Sequence, residues 1–269
     1  MLKRLVYRIW TESREIYGAP KIREELKKMG ISIAERTVGA YMHEMGIKAC
    51  YIKKPYRQKK SGKAFNTSLK NILDEEFNQK APNAVWCSDI TYIYTGEGFV
   101  YLTSIMDLFS RKIISWRLSR TMKAEWIAEC VKEAKQQRRV TRPLLIHTDR
   151  GSQYTSKKYM EAIGEDLTAS YSDKASPWQN ACIEAFHALI KREWLYRFKI
   201  KDYEHAYRLV FSYINAFYNT VRIHGSCGYL SPQQYELKHQ KVRKFQIKEN
   251  LVNLTCTFSC SISHQHNLQ

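Results

Sequence analysis

The chain has 269 residues, 44% of them apolar, which is ample for a core, and it carries 44 Lys and Arg against 26 Asp and Glu, a formal charge of +18 with 13% aromatics. That balance favours a polyanion, a phosphate backbone or another anionic surface, over the alternative that a basic charge only keeps the protein soluble. No stretch reaches the roughly 18 to 20 uninterrupted apolar residues of a membrane span, and the charged N-terminus "MLKRLVYRIWTESREIYG" has no signal-peptide core. The expectation is therefore a cytoplasmic protein, with seven cysteines at irregular spacing that suit reduced thiols better than a disulfide framework.

The chain begins with helical periods. A first helix is expected around Leu5 to Glu15. In "GAPKIREELKKMG" Pro20 can occupy the first helical position, Ile22, Leu26 and Met29 share a face, and Gly30 can end the helix. Ser32 and Glu35 have capping-box spacing ahead of a stripe of Ala34, Val38, Tyr41, Met42 and Met45, and Gly46 follows as a stop. Two such helices after an earlier one make a helix-turn-helix plausible over residues 1–47, with Arg36, Thr37, Ala40 and His43 facing away from its core. Periodicity alone fits a three-helix protein-contact module equally well.

The next segment tips the balance towards DNA. "KACYIKKPYRQKKSGK", Lys48 to Lys63, holds seven Lys or Arg and no acid, with Pro55, Ser61 and Gly62 against any helical period. It reads as a basic linker over 48–75. Lys53, Lys54, Arg57, Lys59 and Lys60, interleaved with Tyr51 and Tyr56, suit contact with a phosphate backbone. A merely solvated linker is the alternative.

From residue 76 the period becomes extended. "NAVWCSDITYIYTGEGFVYLTSIMDLFSRKIISWRLS" contains three β-rich runs separated by "TGEG" and "DLFSRK", an antiparallel meander. Alternation puts Cys87, Asp89, Thr91 and Ile93 on one face, and Trp86, Ser88, Ile90, Tyr92 and Tyr94 on the other. A carboxylate on a strand apolar on both faces must be paired or bind a metal. A helix over Ala124 to Gln137 and the apolar strand "PLLIH" follow, and that strand stops on Asp149 in "HTDRGSQYTS". A tight turn explains Asp and Gly there, but strand ends are also where sheet enzymes carry chemistry.

A third acid lies in "SPWQNACIEAFHALIKREW". Asn180 is a fair N-cap, Ile183, Ile190 and Trp194 form the apolar stripe, Glu184 lies at its edge, and Lys191 is two turns further along the same side. Alone, Glu184 and Lys191 would be helix surface. Together the three acids have a chemical logic, because hard divalent cations want carboxylate oxygens and a two-metal site clamps the attacking and leaving oxygens of a phosphoryl displacement.

In order, "WCSDITYI", "YLTSIMDLFSRKIISW", "HTDRGSQYTS", "NACIEAFHALIKREW" and "FYNTVRIHGSCGYLSPQQYE" resemble the successive motifs of insertion-sequence transposases whose second reading frame carries a retroviral-integrase-like core. The resemblance runs from "YGAPKIREEL" to about Glu236. It implies an α/β core over 76–240, a ribonuclease-H-like mixed five-stranded sheet flanked by helices, preceded by the small all-helical helix-turn-helix domain. It implies that Asp89, Asp149 and Glu184 are a catalytic, metal-binding triad using Mg²⁺ or Mn²⁺ in a two-metal site, and that Lys191 grips the transposon end. Arg150, Lys157, Lys158 and Arg192 are further candidates for phosphate contact.

The implied activity is phosphodiester hydrolysis at element ends followed by strand transfer from the freed 3′-hydroxyl. The implied partners are double-stranded DNA (terminal repeats and target), other copies of the chain on that DNA, and an upstream-frame protein. A non-catalytic DNA-binding regulator and a nuclease that cleaves without joining are the rival readings. One departure is that Gln179 precedes Asn180 and Ala181 where the family commonly has an aspartate. The tail 241–269 matches no family feature, and its Cys256, Cys260, His264 and His266 are spaced too tightly for an ordinary zinc finger.

Overall fold

A computed structural model of the chain describes residues 1–52, 69–173 and 176–242. The charged positions Lys53, Lys54, Arg57, Lys59 and Lys60 and the Cys and His residues of the tail therefore lie outside the described residues. No helix among the described residues is long and apolar enough to cross a membrane.

Three helices open the chain: α1 (Leu2–Glu12), α2 (Ala19–Lys28) and α3 (Glu35–Glu44). Val6, Ile9, Ile22, Leu26, Val38 and Met42 are their buried faces. α2 starts with Pro20 in its first turn, where a missing N–H costs nothing. α3 departs from the expected capping box. Its N-cap is Ala34, with no side-chain cap, and Ser32 is exposed, so the first turn relies on Glu35 beside the positive end of the helix dipole. α1 also ends three residues before expected, because Arg14 and Glu15 adopt left-handed backbone and the Ser13 hydroxyl accepts the Tyr17 N–H, a tight turn without glycine.

The core is a five-stranded sheet ordered β3-β2-β1-β4-β5, from β1 (Val85–Thr95), β2 (Gly98–Asp107), β3 (Lys112–Ser119), β4 (Leu144–Thr148) and β5 (Leu167–Tyr171). β1 to β3 form the expected antiparallel meander, and β4 and β5 join parallel through α4 (Ala124–Arg138) and α5 (Lys157–Ile163). This is the mixed sheet expected of a ribonuclease-H-like core. Pleat alternation assigns its two faces. Trp86, Ile105, Ile114 and Ile146 pack on α4 and α5, which supply Ile127, Val131, Ala134, Tyr159 and Ile163. Cys87, Ile93, Leu102 and Leu118 point the other way, onto α6 (Ala181–Glu193), α7 (Tyr203–Tyr213) and the π-helical turn Ile214–Tyr218. A last helix, α8, spans 232–242.

The front helices join that second cluster, so residues 1–47 share apolar packing with the core. Polar ties reinforce the joint. The Tyr17 hydroxyl accepts the Ile223 N–H at 2.8 Å and donates to the Val221 carbonyl, Arg14 donates to Ser212, and Arg197 reaches Glu15 at 2.6 Å.

Candidate active site

The register of the sheet explains why two acids far apart in sequence meet. β1 and β4 are paired only from Val85↔Leu145 to Cys87↔His147, beyond which they part, β1 staying on β2 and β4 on β5. Asp89 is two residues past the last pair on β1, and Asp149 is two residues past it on β4. Both acids therefore stand level at the split between the strands, the usual ligand crevice of an open sheet. On the far side, Asp89 pairs with Ser104 of β2.

Asp149 leaves β4 through the "DRGS" turn. Its Oδ1 accepts the Gly151 N–H at 2.9 Å. A Cβ at Gly151 would lie 3.0 Å from that oxygen and 3.1 Å from Gln153 Oε1, so a side chain there would crowd the carboxylate. The turn reading of this aspartate holds, and its carboxyl also feels the charge of Asp89.

The third acid comes from α6, which Ile183, Phe186 and Ile190 anchor in the core, each fully buried residue worth about 1.5–3 kcal/mol. Three polar contacts align the helix on β1. Asn180 Nδ2 donates to the Ser88 carbonyl at 3.2 Å, His187 Nδ1 lies 3.3 Å from Asp89 Oδ2, and Lys191 Nζ donates to Thr91 Oγ1 at 2.6 Å. Asn180 thus flanks α6 as expected but spends its amide on β1, with no side-chain cap of its own helix.

Glu184 is pushed up from the ordinary carboxylate range to about 7, by the protein around it and then by the charges of Asp89 and Asp149. Asp149 is pushed up to about 6, by burial first and Asp89 second, against the Gly151 N–H that favours its ionised form. The acids repel one another. Tyr154, fully buried on the α4–α5 face of the sheet with its hydroxyl 3.1 Å from Ser88 Oγ, is raised by burial first and then by the same two aspartates. Among the described residues no three or more His, Cys, Asp or Glu side chains are grouped so that together they could hold a metal ion. What the acids offer is hard oxygen donors and concentrated negative charge. That set suits an ion completing its shell with water and phosphate oxygens.

The basic candidates divide. Lys191 lies against β1, bonded to Thr91 and over the Tyr92 ring, 4.6 Å from its centroid. Arg192 donates to the Tyr51 hydroxyl, and its carbonyl accepts the Ile52 N–H, so the basic segment leaves the described chain beside the end of α6. Arg36 and His43 are exposed on α3, and Lys157 and Lys158 on α5, where they pair with Glu161 and Glu125. Arg150 differs from its expected role. Its guanidinium donates to the carbonyls of Ser172 and Leu69 and to Asp173, pinning the segment after β5, and it has little surface left for a phosphate. Gln179, in place of the family's common aspartate, holds the same Asp173 through both its amide atoms.

Comparison with known proteins shows the family. Residues 79–177 and 165–232 match integrase core domain models, and residues 1–56 match an HTH-like domain. A transposase for insertion sequence element IS904 from Lactococcus lactis is 34% identical over 237 residues, covering 88% of this chain and 93% of that protein. The chain belongs to the insertion-sequence transposases. The InsF transposase of insertion sequence IS3A from Escherichia coli is likewise 34% identical, over 87% of this chain and 82% of that one. Among solved structures, a simian T-cell lymphotropic virus intasome aligns over 86% of this chain and 74% of its own at 16% identity, TM-score 0.48.

Within this transposase, sequence reasoning passed over His187 and Tyr154. His187 carries a legible signal, since it lies one turn after Glu184 on the same side of the helix. Tyr154 carries none, because only the turn after Asp149 brings its ring beside Gly151 and its hydroxyl to Ser88.

Proposed function

We propose that this transposase cuts the phosphodiester at the ends of its own element and joins the freed 3′-hydroxyl to target DNA, with Asp89, Asp149 and Glu184 as its catalytic acids. What supports this reading is that Asp89 and Asp149 stand in matching register past the last pair of β1 and β4, and that Asp149 and Glu184 are raised by burial first and then by their acidic neighbours. Carboxyls so arranged destabilise one another unless a cation joins them, and phosphoryl transfer is the chemistry that uses such a cation.

Asp89 and Asp149 would hold Mg²⁺ or Mn²⁺ between the strands, and Glu184 would close a second position from the helix. When bound, such ions offset negative charge on the oxygens of the in-line displacement. The protein's own part is orientation: the register of β1 and β4 would fix two acids, and α6 would supply the third. In the first step a water oxygen attacks phosphorus and the 3′-oxygen leaves. In the second, that 3′-oxygen attacks a target phosphorus and frees a new 3′-end, so no covalent enzyme intermediate is needed.

Lys191, Arg192, the exposed face of α3 and the basic segment would bind phosphates of the element end and target. Action as an oligomer on DNA, cooperation with an upstream-frame protein and a cytoplasmic setting belong to the same reading, as does the division into residues 1–47, 48–75, 76–240 and 241–269. The test is incubation of the full chain with labelled DNA flanking its own gene, in Mg²⁺ and in Mn²⁺. Cleaved and joined products are expected. Cleavage without joining would favour a nuclease, and binding with neither would favour a regulator.

A further inference from the structure

His187 lies between the helix that carries one acid and the strand that carries another. It is three residues beyond Glu184 on α6 and almost fully buried. Its Nδ1 faces Asp89 Oδ2 at 3.3 Å, and its Nε2 faces Ser104 Oγ at 3.3 Å. Asp89 and Ser104 are direct cross-strand partners, so the ring spans one rung of the β1–β2 ladder from above.

We propose that His187 is a positioning residue for Asp89, holding Oδ2 through an Nδ1–H so that the carboxylate faces the crevice in one orientation. The Ser104 hydroxyl selects the tautomer. A hydroxyl that donates to Nε2 leaves Nδ1 as the protonated nitrogen, and that nitrogen is the one turned to the acid. At 3.3 Å the contact is long, as catalytic hydrogen bonds often are before substrate arrives, and a small rotation of either group closes it.

A purely structural role explains less. Asn180 to Ser88 and Lys191 to Thr91 already fasten α6 to β1 on either side of His187, and Ile183, Phe186 and Ile190 anchor the helix in the core. An apolar residue would pack as well in the same place. What it would lose is the donor aimed at a carboxylate that is only 21% exposed and flanked by two other acids.

This proposal rests on the reading of Asp89 as a cation-holding acid, and the experiment separates the two. In the full chain, Mn²⁺ affinity is measured by calorimetry without DNA for the parent, His187→Asn, His187→Gln, His187→Phe and Asp89→Asn. End cleavage is then followed as a function of Mn²⁺ concentration. An Asn amide nitrogen occupies the place of Nδ1, whereas a Gln amide reaches only the place of Nε2. His187→Asn should therefore keep parent-like affinity, while His187→Gln and His187→Phe should weaken it roughly tenfold or more and recover cleavage at higher metal.

Equal affinity in parent and His187→Gln, with Asp89→Asn weakened, would overturn the positioning role alone. An equal loss in His187→Asn and His187→Gln would also overturn it, as a packing effect. If Asp89→Asn binds Mn²⁺ like the parent, the reading of the acid fails and the positioning role falls with it.

Discussion

Two glutamates on one helix show how differently this protein treats a carboxylate. Glu193, at the end of α6, is buried, yet it accepts Arg222 Nη2 at 2.6 Å, Arg222 Nε at 2.8 Å and the Tyr213 hydroxyl at 2.6 Å. Burial alone would raise it, but those partners hold it below the ordinary carboxylate range. Glu184, nine residues earlier, faces two aspartates and is pushed up to about 7. The first carboxylate is complete within the fold. The second has no such cationic partner among the causes of its shift, and that contrast separates the two carboxylates more sharply than burial does.

The largest expected effect comes from the incomplete set. Asp89→Asn, Asp149→Asn and Glu184→Gln should each take cleavage and joining to background while leaving DNA binding and folding intact, because each removes a hard anionic ligand at nearly constant volume. A labelled-end assay beside a melting curve checks this. Variants that cut like the parent, or that all unfold, would break the comparison by making these acids structural too.

The complete set should answer to stability instead. Arg222→Met leaves Glu193 buried without its main partner, at a cost of about 3–5 kcal/mol and a fall in melting temperature on the order of 10 °C. A loss below 1 kcal/mol in denaturant unfolding would mean that Tyr213 alone suffices for Glu193.

pH should separate the two sets with opposite signs. The folded values of Glu184 and Asp149 lie above their unfolded ones, so the metal-free protein should lose stability as pH rises from about 4.5 to 7 through Glu184 and from about 3.8 to 6 through Asp149. Glu193 is held low, so its contribution is present above the ordinary carboxylate range and lost only as pH falls through its depressed value. Melting curves of the parent and of Glu184→Gln at pH 5.5 and 7.5, without divalent metal, should differ by a few degrees. The variant should be the flatter. A parent equally stable at both values, with no difference from the variant, would contradict the proposed repulsion.

The smallest effect belongs to Lys191. Lys191→Ala should lower the slope of log affinity for element ends against log salt by about one unit. An unchanged slope in a folded variant would show that its place over Tyr92 and Thr91 is structural only.

Much of this was legible before any coordinates. The meander was visible because Asp89's strand alternates and "TGEG" breaks it, and each acid sat where an apolar run or stripe made a charge conspicuous. α5 and β5, seven and five residues long, are too short to show a period, and the fifth strand was expected only through the family resemblance. The end of α1 was misplaced because its turn uses Arg14 and Glu15 in left-handed backbone, which no residue type advertises. Arg150 reads as a phosphate contact because a basic residue beside a candidate catalytic acid invites that reading, whereas its partners include backbone carbonyls drawn from 69 and 172. Glu193 and Arg222 could not be paired from sequence, since nothing local links residues so far apart.

The joint between the front helices and the core has a consequence for measurement along DNA. With Tyr17 bonded to the 221–223 backbone and Arg197 to Glu15, the exposed face of α3 and the acids of the core are parts of one stiff caliper. If α3 grips the element end, the spacing between the gripped bases and the severed bond is set by the protein. A half-turn of extra DNA inserted between them would then carry the scissile phosphate to the wrong side of the duplex, and cutting would stop although every recognised base remained.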